Sequence, residues 1–496
     1  MTRPALHLGI DLGTSAVKAV AIDAAGTVVA SSDSPYPTHS DLPGQAEQEP
    51  SHWLQAAAIA VGTIGSQLGP AWPASLASIG LTGQLPTLVC LGDNGPLGRA
   101  IAWTDARADE WAIGRLDRDR RRQFYRATGM PIDGRYLAPM FRFHWQERRS
   151  AVRRILSAKD FLCFALTGRA VTDPSTAAGY GVYAIADKRW DPALCAFWDL
   201  DLELLPEIAP ANEVAGPLNP AGSRLLGLPE GLPVSVGAAD SVAGALAMSG
   251  LAEGSASIVM GSSTIVMGTG REPLLDPEAR YLLTPHALEG WYGREMDLLS
   301  TGTGFRWLCT LLSWTAEQFE VRAQRSPPGA NGLCFSPYLA GGEQGALWNP
   351  ALRGVLHGLT LHHDPADVAR AFLEGVYFEI RRCLDVLAES APAGSERSPA
   401  VVLSGHAAES PGLMRMLADI LHRPVRSFTH RSPSAIGAAL LGFGEDAGRL
   451  AAAAAQTTAR AEPGPAAAAY DRLYRRYLGL FPRIAEAPPD AGTDVR

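Results

Sequence analysis

The residues best suited to chemistry lie at the start of the chain. Asp11 closes an apolar run, Leu6-His7-Leu8-Gly9-Ile10, and a turn of small residues follows, Gly13-Thr14-Ser15. Consecutive backbone N–H groups in such a turn form a concavity that cradles phosphate. A carboxylate beside it can hold Mg²⁺, directly or through water. Lys18 lies beyond the turn, on a second apolar run from Val17 to Ile22, where it faces either phosphate or solvent. The stretch fits neither G-x-x-x-x-G-K-[ST] nor G-x-G-x-x-G. A nucleotide site is therefore expected without either common loop. A second carboxylate, Asp240, stands where an apolar run meets a helical pattern. Read locally it is a helix cap.

These side chains need elements to carry them. Residues 6–22 and 27–31 read as strands, with Ala24-Ala25-Gly26 as a hairpin turn. A helix over 51–68 takes Ser51 as its cap. Residues 77–82 and 87–91 read as strands around Gly83-Gln84-Leu85-Pro86, and 152–166 is helical in pattern. Residues 233–237 form a short strand running into Asp240, with a helix over 241–248. The opening pattern then returns. Ala256 to Met260 is apolar, Gly261-Ser262-Ser263 is the small turn, and 264–267 is apolar again. Gly13 and Gly261 are 248 positions apart in a chain of 496. Such a period suggests two related halves. Val259 stands where the first copy has Asp11, so only the first turn carries the acid. Downstream, helices are expected near 305–312, 365–388, 411–421, 434–442 and 470–480, with a strand over 400–403. The segment 451–469 is low in complexity.

The bulk properties narrow the class. At 496 residues the chain exceeds one hydrophobic core, so two or more domains are expected. Hydrophobic residues make up 47% and charged ones 19%, as in an ordered globular protein. The net charge is −8 and no long basic run occurs, which argues against nucleic acid or an anionic membrane as partner. The six cysteines are scattered and never spaced C-x-x-C, so neither a zinc site nor a disulfide framework is expected. No basic stretch followed by a long apolar one opens the chain, and no apolar run approaches the ~18 residues that span a bilayer. A cytoplasmic, reduced setting is the expectation.

Several segments, in their order, resemble the FGGY family of carbohydrate kinases within the actin-like ATPase superfamily. GIDLGTSAVKAVAID at 9–23 is similar to the first phosphate motif, and GQAEQEPSHWL at 44–54 to the segment after it. Gly83-Gln84 and Trp103-Thr104-Asp105-Ala106-Arg107 resemble substrate-side motifs. AKDFLCFALTGRAVTDPSTAAG at 158–179 resembles the family's KD…LTG…TD-x-S run, and VGAADSVAGAL at 236–246 the segment with the catalytic aspartate. MGSSTIV at 260–266 is similar to the second phosphate motif. RGVLHGLTLHHDPADVARAFLEGV at 353–376 resembles a family signature, and SGHAAESPGLMRMLADILHRPV at 404–425 the adenine-binding turn.

The resemblance, which covers nearly the whole chain, implies an α/β protein of two ribonuclease-H-like domains flanking a catalytic cleft. Residues 1–247 would bind sugar and carry the catalytic aspartate, and 248–496 would bind nucleotide and end in a helical tail. The implied reaction moves the γ-phosphoryl group of MgATP to a hydroxyl of a sugar or polyol. Asp240 would be the general base and Asp11 would hold Mg²⁺ through water. Gly13, Thr14 and Ser15 would donate to the γ-phosphate side, Gly261, Ser262 and Ser263 to the other phosphates, with Lys18 and Gly302 also at the nucleotide. Gly405 and His406 would lie against adenine, with Ser410 nearby. Gln84 and Asp105 would bond sugar hydroxyls, Trp103 would pack on the sugar, and Leu85, Pro86 and Ser241 would line the same pocket. Family members are often dimers, so a homodimer is a further expectation.

Departures from the pattern concern the acceptor. Xylulokinase-like members carry Met-His-Gly after the Gln, and here Leu85-Pro86-Thr87 replaces an imidazole donor with a residue lacking an N–H. Ala138-Pro139-Met140 precedes Phe141 to Trp145 without the usual Lys, and Ser241 follows Asp240 where Asn is usual. The loop Gly341-Gly342-Glu343-Gln344-Gly345-Ala346 lacks the family's Arg, and Ser404 and His406 stand where glycines are common. A ketopentose such as D-xylulose is the leading expectation. Another ketose, a polyol or an aldonate is the alternative, as is a silent sugar- and ATP-binding sensor of the same fold.

Overall fold

A computed structural model describes residues 5–340, 344–349, 352–391, 400–428, 430–455 and 459–485. The described chain forms two compact units. The first holds the residues up to Ala252, Thr269–Gly293 and Ser432–Ala455. The second holds Glu253–Gly268, Arg294–Arg431 and the described residues after Gln456.

The first unit is organised on the strands β1 (Leu6–Leu12), β2 (Ala16–Asp23), β3 (Val28–Pro35), β4 (Leu76–Gly83), β5 (Val214–Pro217), β6 (Pro233–Ser235) and β7 (Ala238–Ala239). Their order is β5-β6-β4-β1-β2-β3, with β7 also pairing β4. The β1–β2 and β2–β3 pairs are antiparallel, and β1–β4 and β4–β6 are parallel. Every residue of β1 is buried, as its near-continuous apolar run requires of a strand covered on both faces. On one side the helix α1 (Pro50–Leu68) presents Trp53, Val61 and Ile64 to Leu8, Ile10 and Leu12 in one core. The helix starts at Pro50, with Glu49 and not Ser51 as its cap. Proline suits that first position because the missing N–H has no helical partner there.

On the other side lies a helix from far along the chain, Pro433–Leu441. It packs at backbone contact. A Cβ built on Gly9 would stand 1.9 Å from the Ala435 carbonyl, and one on Gly80 1.7 Å from that of Ala438. The small residues of this helix are thus the condition of its approach. Residues 152–156, expected as the start of a helix, are not helical, and Arg154–Leu156 pair with Val89–Leu91. The helix α2 (Ala158–Thr167) begins only after Ser157, where a capping box with Asp160 fixes its first turn. The helix α3 (Asp240–Ser249) follows β7.

The second unit repeats the arrangement. Strands β8 (Ala256–Met260) and β9 (Thr264–Gly270) form an antiparallel hairpin, and β10 (Val401–Gly405) lies parallel to β8, as β4 does to β1. The sheet continues from β10 through β11 (Val425–Ser427) to β12 (Arg460–Ala461). The helices α4 (Gly302–Leu311), α5 (Pro365–Glu389), α6 (Pro411–Leu421) and α7 (Ala467–Ala485) belong to this unit. Among the described residues no helix is long and apolar enough to cross a membrane.

One buried group sets a pH dependence. His286, in the first unit, is 4% exposed, and its Nδ1 accepts the Ala287 N–H at 2.9 Å. Burial lowers its pKa from 6.5 to about 3. The unfolded chain therefore takes up a proton below pH 6.5 that the folded one refuses, and stability falls as the pH drops toward 3. At pH 5 the expected loss is ~2 kcal/mol from this residue. His286→Asn should show a smaller difference in melting temperature between pH 7.5 and pH 5 than the parent. An equal difference would count against the assignment.

Candidate active site

In the first unit, the turn Gly13-Thr14-Ser15 is closed by the Gly13 N–H bonding the Ala16 carbonyl at 3.1 Å. Asp11 sits opposite Lys18 in the β1–β2 register. Its carboxylate is buried, and Oδ1 has no hydrogen-bond partner. Burial raises the Asp11 pKa and the Lys18 charge opposes that shift. Lys18 thus acts electrostatically on the acid at the turn. An orphaned carboxylate oxygen beside a ring of turn amides suits a hydrated cation, and Mg²⁺ takes few protein ligands and keeps its waters. Among the described residues no cluster of three or more His, Cys, Asp or Glu forms a cage of its own.

Tyr36, just beyond β3, is bonded to this turn. Its hydroxyl donates to the Gly13 carbonyl. The phenol's pKa is raised by burial first, then by the charges of Asp11 and Asp240. Both carboxylates therefore act on one phenol. Asp240 is half-buried in the first turn of α3, with Ala239 as the cap residue, so it does not itself cap the helix. Its Oδ1 accepts the Ser241 N–H at 2.8 Å.

A chain of amides extends from the same turn. Gln84 leaves β4 with its N–H on the Leu12 carbonyl at 2.8 Å, and its Nε2 donates to Gln48 Oε1 at 2.7 Å. The Gln84 Oε1 is buried without a partner. Gln48 Nε2 in turn donates to the Thr14 carbonyl at 2.9 Å and to Thr38. Trp103 Nε1 donates to Thr14 Oγ1 at 2.9 Å. Asp105 is buried and accepts from Arg107 and from the Ala46 N–H, while Arg107 also bonds Glu47. Leu85 turns toward the core: a Cβ on Gly179 would stand 2.7 Å from its Cγ. Pro86 is half-buried beside it. Sequence reasoning gave no role to Tyr36 or Gln48. Gln48 lay inside a quoted motif, and Tyr36 is the aromatic that ends a polar run, Ser31-Ser32-Asp33-Ser34.

In the second unit the turn Gly261-Ser262-Ser263 is closed from Gly261 N–H to the Ser263 carbonyl at 2.8 Å. The N-terminus of α4 meets it. The Thr303 N–H bonds the Ser262 carbonyl at 3.0 Å, and a Cβ on Gly302 would stand 2.0 Å from the Gly261 carbonyl. Free N–H groups at a helix start and beside a small turn favour anions. The Asp11–Lys18 pair of the first copy is Val259–Ile265 here, so this cradle lacks the acid. Gly405 pairs with Met260 as Gly83 pairs with Leu12. Gln84 and His406 thus hold equivalent places in the two copies. A side chain at Gly405, with φ at 97°, would meet the Met260 carbonyl at 2.0 Å. His406 is exposed and pairs with Glu320, and Phe305 lies 6.1 Å from its ring. Ser410 caps α6 through the Leu413 N–H. Of the loop at 341–346, residues Gly341, Gly342 and Glu343 lie outside the described residues.

Known proteins resemble this chain over most of its length. A family model described as the FGGY family of carbohydrate kinases, N-terminal domain, matches residues 6–247, and the C-terminal domain of the same family matches 256–444. A xylulose kinase of Lactococcus lactis is 26% identical over 440 residues, covering 88% of this chain and 86% of that protein. A crystal structure of a gluconate kinase from Lactobacillus acidophilus superposes with a TM-score of 0.89 at 26% identity, covering 98% of this chain and 99% of the other. A ligand-bound xylulose kinase from the same organism gives a TM-score of 0.89 at 26% identity, with 97% and 99% covered.

Proposed function

The chain belongs to the FGGY family of carbohydrate kinases, which use ATP, and from that premise we propose that it phosphorylates a ketopentose, D-xylulose first among them. The observation that carries the assignment of the site is the Tyr36 hydroxyl, which bonds the Gly13 carbonyl of the turn that follows Asp11 and whose pKa is raised by burial and by the charges of Asp11 and Asp240. The two carboxylates serve two tasks. The buried one, Asp11, orphaned at Oδ1, would hold hydrated Mg²⁺. The half-buried one, Asp240, accepts the proton of the attacking hydroxyl.

The step forms a bond between the sugar oxygen and the γ-phosphorus, breaks the bond from that phosphorus to ADP, and leaves the hydroxyl proton on Asp240. Mg²⁺ supplies neutralisation of charge on the phosphate oxygens. The chain supplies placement. In the first unit the Gly13 N–H closes the turn on Ala16, and the amides of Thr14 and Ser15 are the ones that donate to phosphate oxygens. Gln84 offers its unpartnered Oε1 to a sugar hydroxyl, held in place by Gln48. Trp103, its N–H fixed on Thr14, presents its ring to the sugar. Arg107 holds Asp105 in one orientation. A pocket built on such polar groups rejects an analogue that lacks the matching hydroxyl.

The test is turnover. With MgATP and a panel of pentuloses, hexuloses, polyols and aldonates, ADP release should be fastest per unit concentration with D-xylulose. A higher kcat/KM for gluconate would move the assignment to the aldonates. ATP binding without turnover on any member would overturn the kinase reading in favour of a sensor.

A further inference from the structure

We propose that Lys159, Asp173 and Ser175 form a buried positioning relay that fixes the backbone just ahead of Asp240. The inference rests on Asp240 being the base. The residues between β6 and α3 are held at three points. Lys159 Nζ donates to the Val236 carbonyl at 3.0 Å, Thr82 Oγ1 to the Ala238 carbonyl at 2.7 Å, and the Ala239 N–H donates to Ser175 Oγ at 3.0 Å. In each of the three bonds one partner is a side chain, from Lys159, Thr82 or Ser175, added to the pairing of β7 with β4.

Behind two of the three points stands an ion cluster with almost no access to water. Lys159 is 1% exposed, and its Nζ lies 2.8 Å from Asp160 Oδ1 and 3.3 Å from Asp173 Oδ1. Both carboxylates are fully buried. Asp173 Oδ2 accepts the Ser175 N–H at 2.9 Å and also the Ser175 hydroxyl. A carboxylate only accepts, so the hydroxyl must donate to it, and its lone pairs are left for Ala239. On the far side Asp160 is anchored by the Tyr180 hydroxyl at 2.9 Å and by the capping box of α2.

A buried lysine shared by two carboxylates is an expensive way to gain stability, since well-packed apolar residues do as well or better. What the charges do here is geometric. The lysine contact and the serine contact both end within four residues of Asp240, one on a carbonyl and one on an amide. They fix that segment against rotation about its own axis, which a two-residue strand does weakly. A base must stand within hydrogen-bond reach of the proton it takes, and a misplacement of about 1 Å can cost a hundredfold in rate.

Ser175→Ala deletes the acceptor for Ala239 and leaves the ion cluster in place. With MgATP and D-xylulose, or the panel member turned over fastest, it should lower kcat by about tenfold or more with both KM values within about twofold. The same substitution in an Asp240→Asn background should add no further loss, since the relay acts only through that carboxylate. Thr82→Val, which removes the contact on Ala238, should behave alike and serves if Ser175→Ala does not fold. An unchanged kcat, or an equal loss in the Asp240→Asn background, overturns the relay. Failure of the base assignment shows separately, as wild-type kcat in Asp240→Asn alone, and overturns both.

Discussion

Asp240→Ala is expected to lower kcat by about 10³, within the range that general bases contribute, while leaving ATP affinity within about twofold. The reasoning is spatial. The Asp240 carboxylate is half-buried, and its charge, with that of Asp11, raises the pKa of Tyr36, whose hydroxyl bonds the Gly13 turn. It is nevertheless a separate element from that turn, carried by α3 and not by β1 or β2. Its loss should therefore strike proton removal and spare nucleotide binding. Steady-state kinetics with the preferred sugar, beside calorimetric titration of ATP, reads both quantities. A kcat within tenfold of the parent would refute the assignment. A matching loss of ATP affinity would move Asp240 from base to phosphate or metal holder.

Gly80→Val is expected to destabilise the first unit by at least about 3 kcal/mol, beyond the usual cost of an overpacked core. A Cβ at this position would stand 1.7 Å from the Ala438 carbonyl and 2.5 Å from its carbon, and both are backbone atoms of Pro433–Leu441. No rotamer relieves that overlap, so either β4 or the helix must move. The Gly80 position also faces the helix that packs on α3, where a Cβ on Gly437 would meet the Ala243 carbonyl at 1.9 Å. A displaced helix would therefore disturb Asp240 as well as the core. Thermal melts should fall by about 5 °C or more. Gly62→Ala is the matched control. It lies on α1 with nothing within 4 Å of the added carbon, and it should stabilise slightly. Equal effects of the two would show that the packing at Gly80 yields.

The features legible in the sequence are those that depend on near neighbours. The two small-residue turns, the apolar strands on either side and the loss of the acid at Val259 were all readable, because period and residue size decide a hairpin locally. Pro411–Leu421 has the expected bounds, since Ser410 supplies its cap and a proline opens it. Where two local signals competed, the pattern misled. Apolar spacing over 152–166 suggested one helix, but pairing with Val89–Leu91 took residues 154–156 into a strand and the Ser157 box set the real start. Ser51 has the residue type of a cap, but proline at the first helical position moves the start of the helix to Pro50.

Residue order fixes which chemical groups the chain owns: a small-residue turn after Asp11, an echo of that turn without the acid, and a second acid at Asp240. The tertiary structure decided which of them act together. Tyr36, Gln48 and Ser175 enter the site through contacts with residues from 23 to 64 positions away, and the helix Pro433–Leu441 reaches β1 across more than four hundred. No local pattern encodes such partners. Burial, which leaves Asp11 raised and orphaned at Oδ1 while Lys159 stays charged between two carboxylates, is a property of what surrounds a residue in space, and the order of residues states it only once the chain has closed.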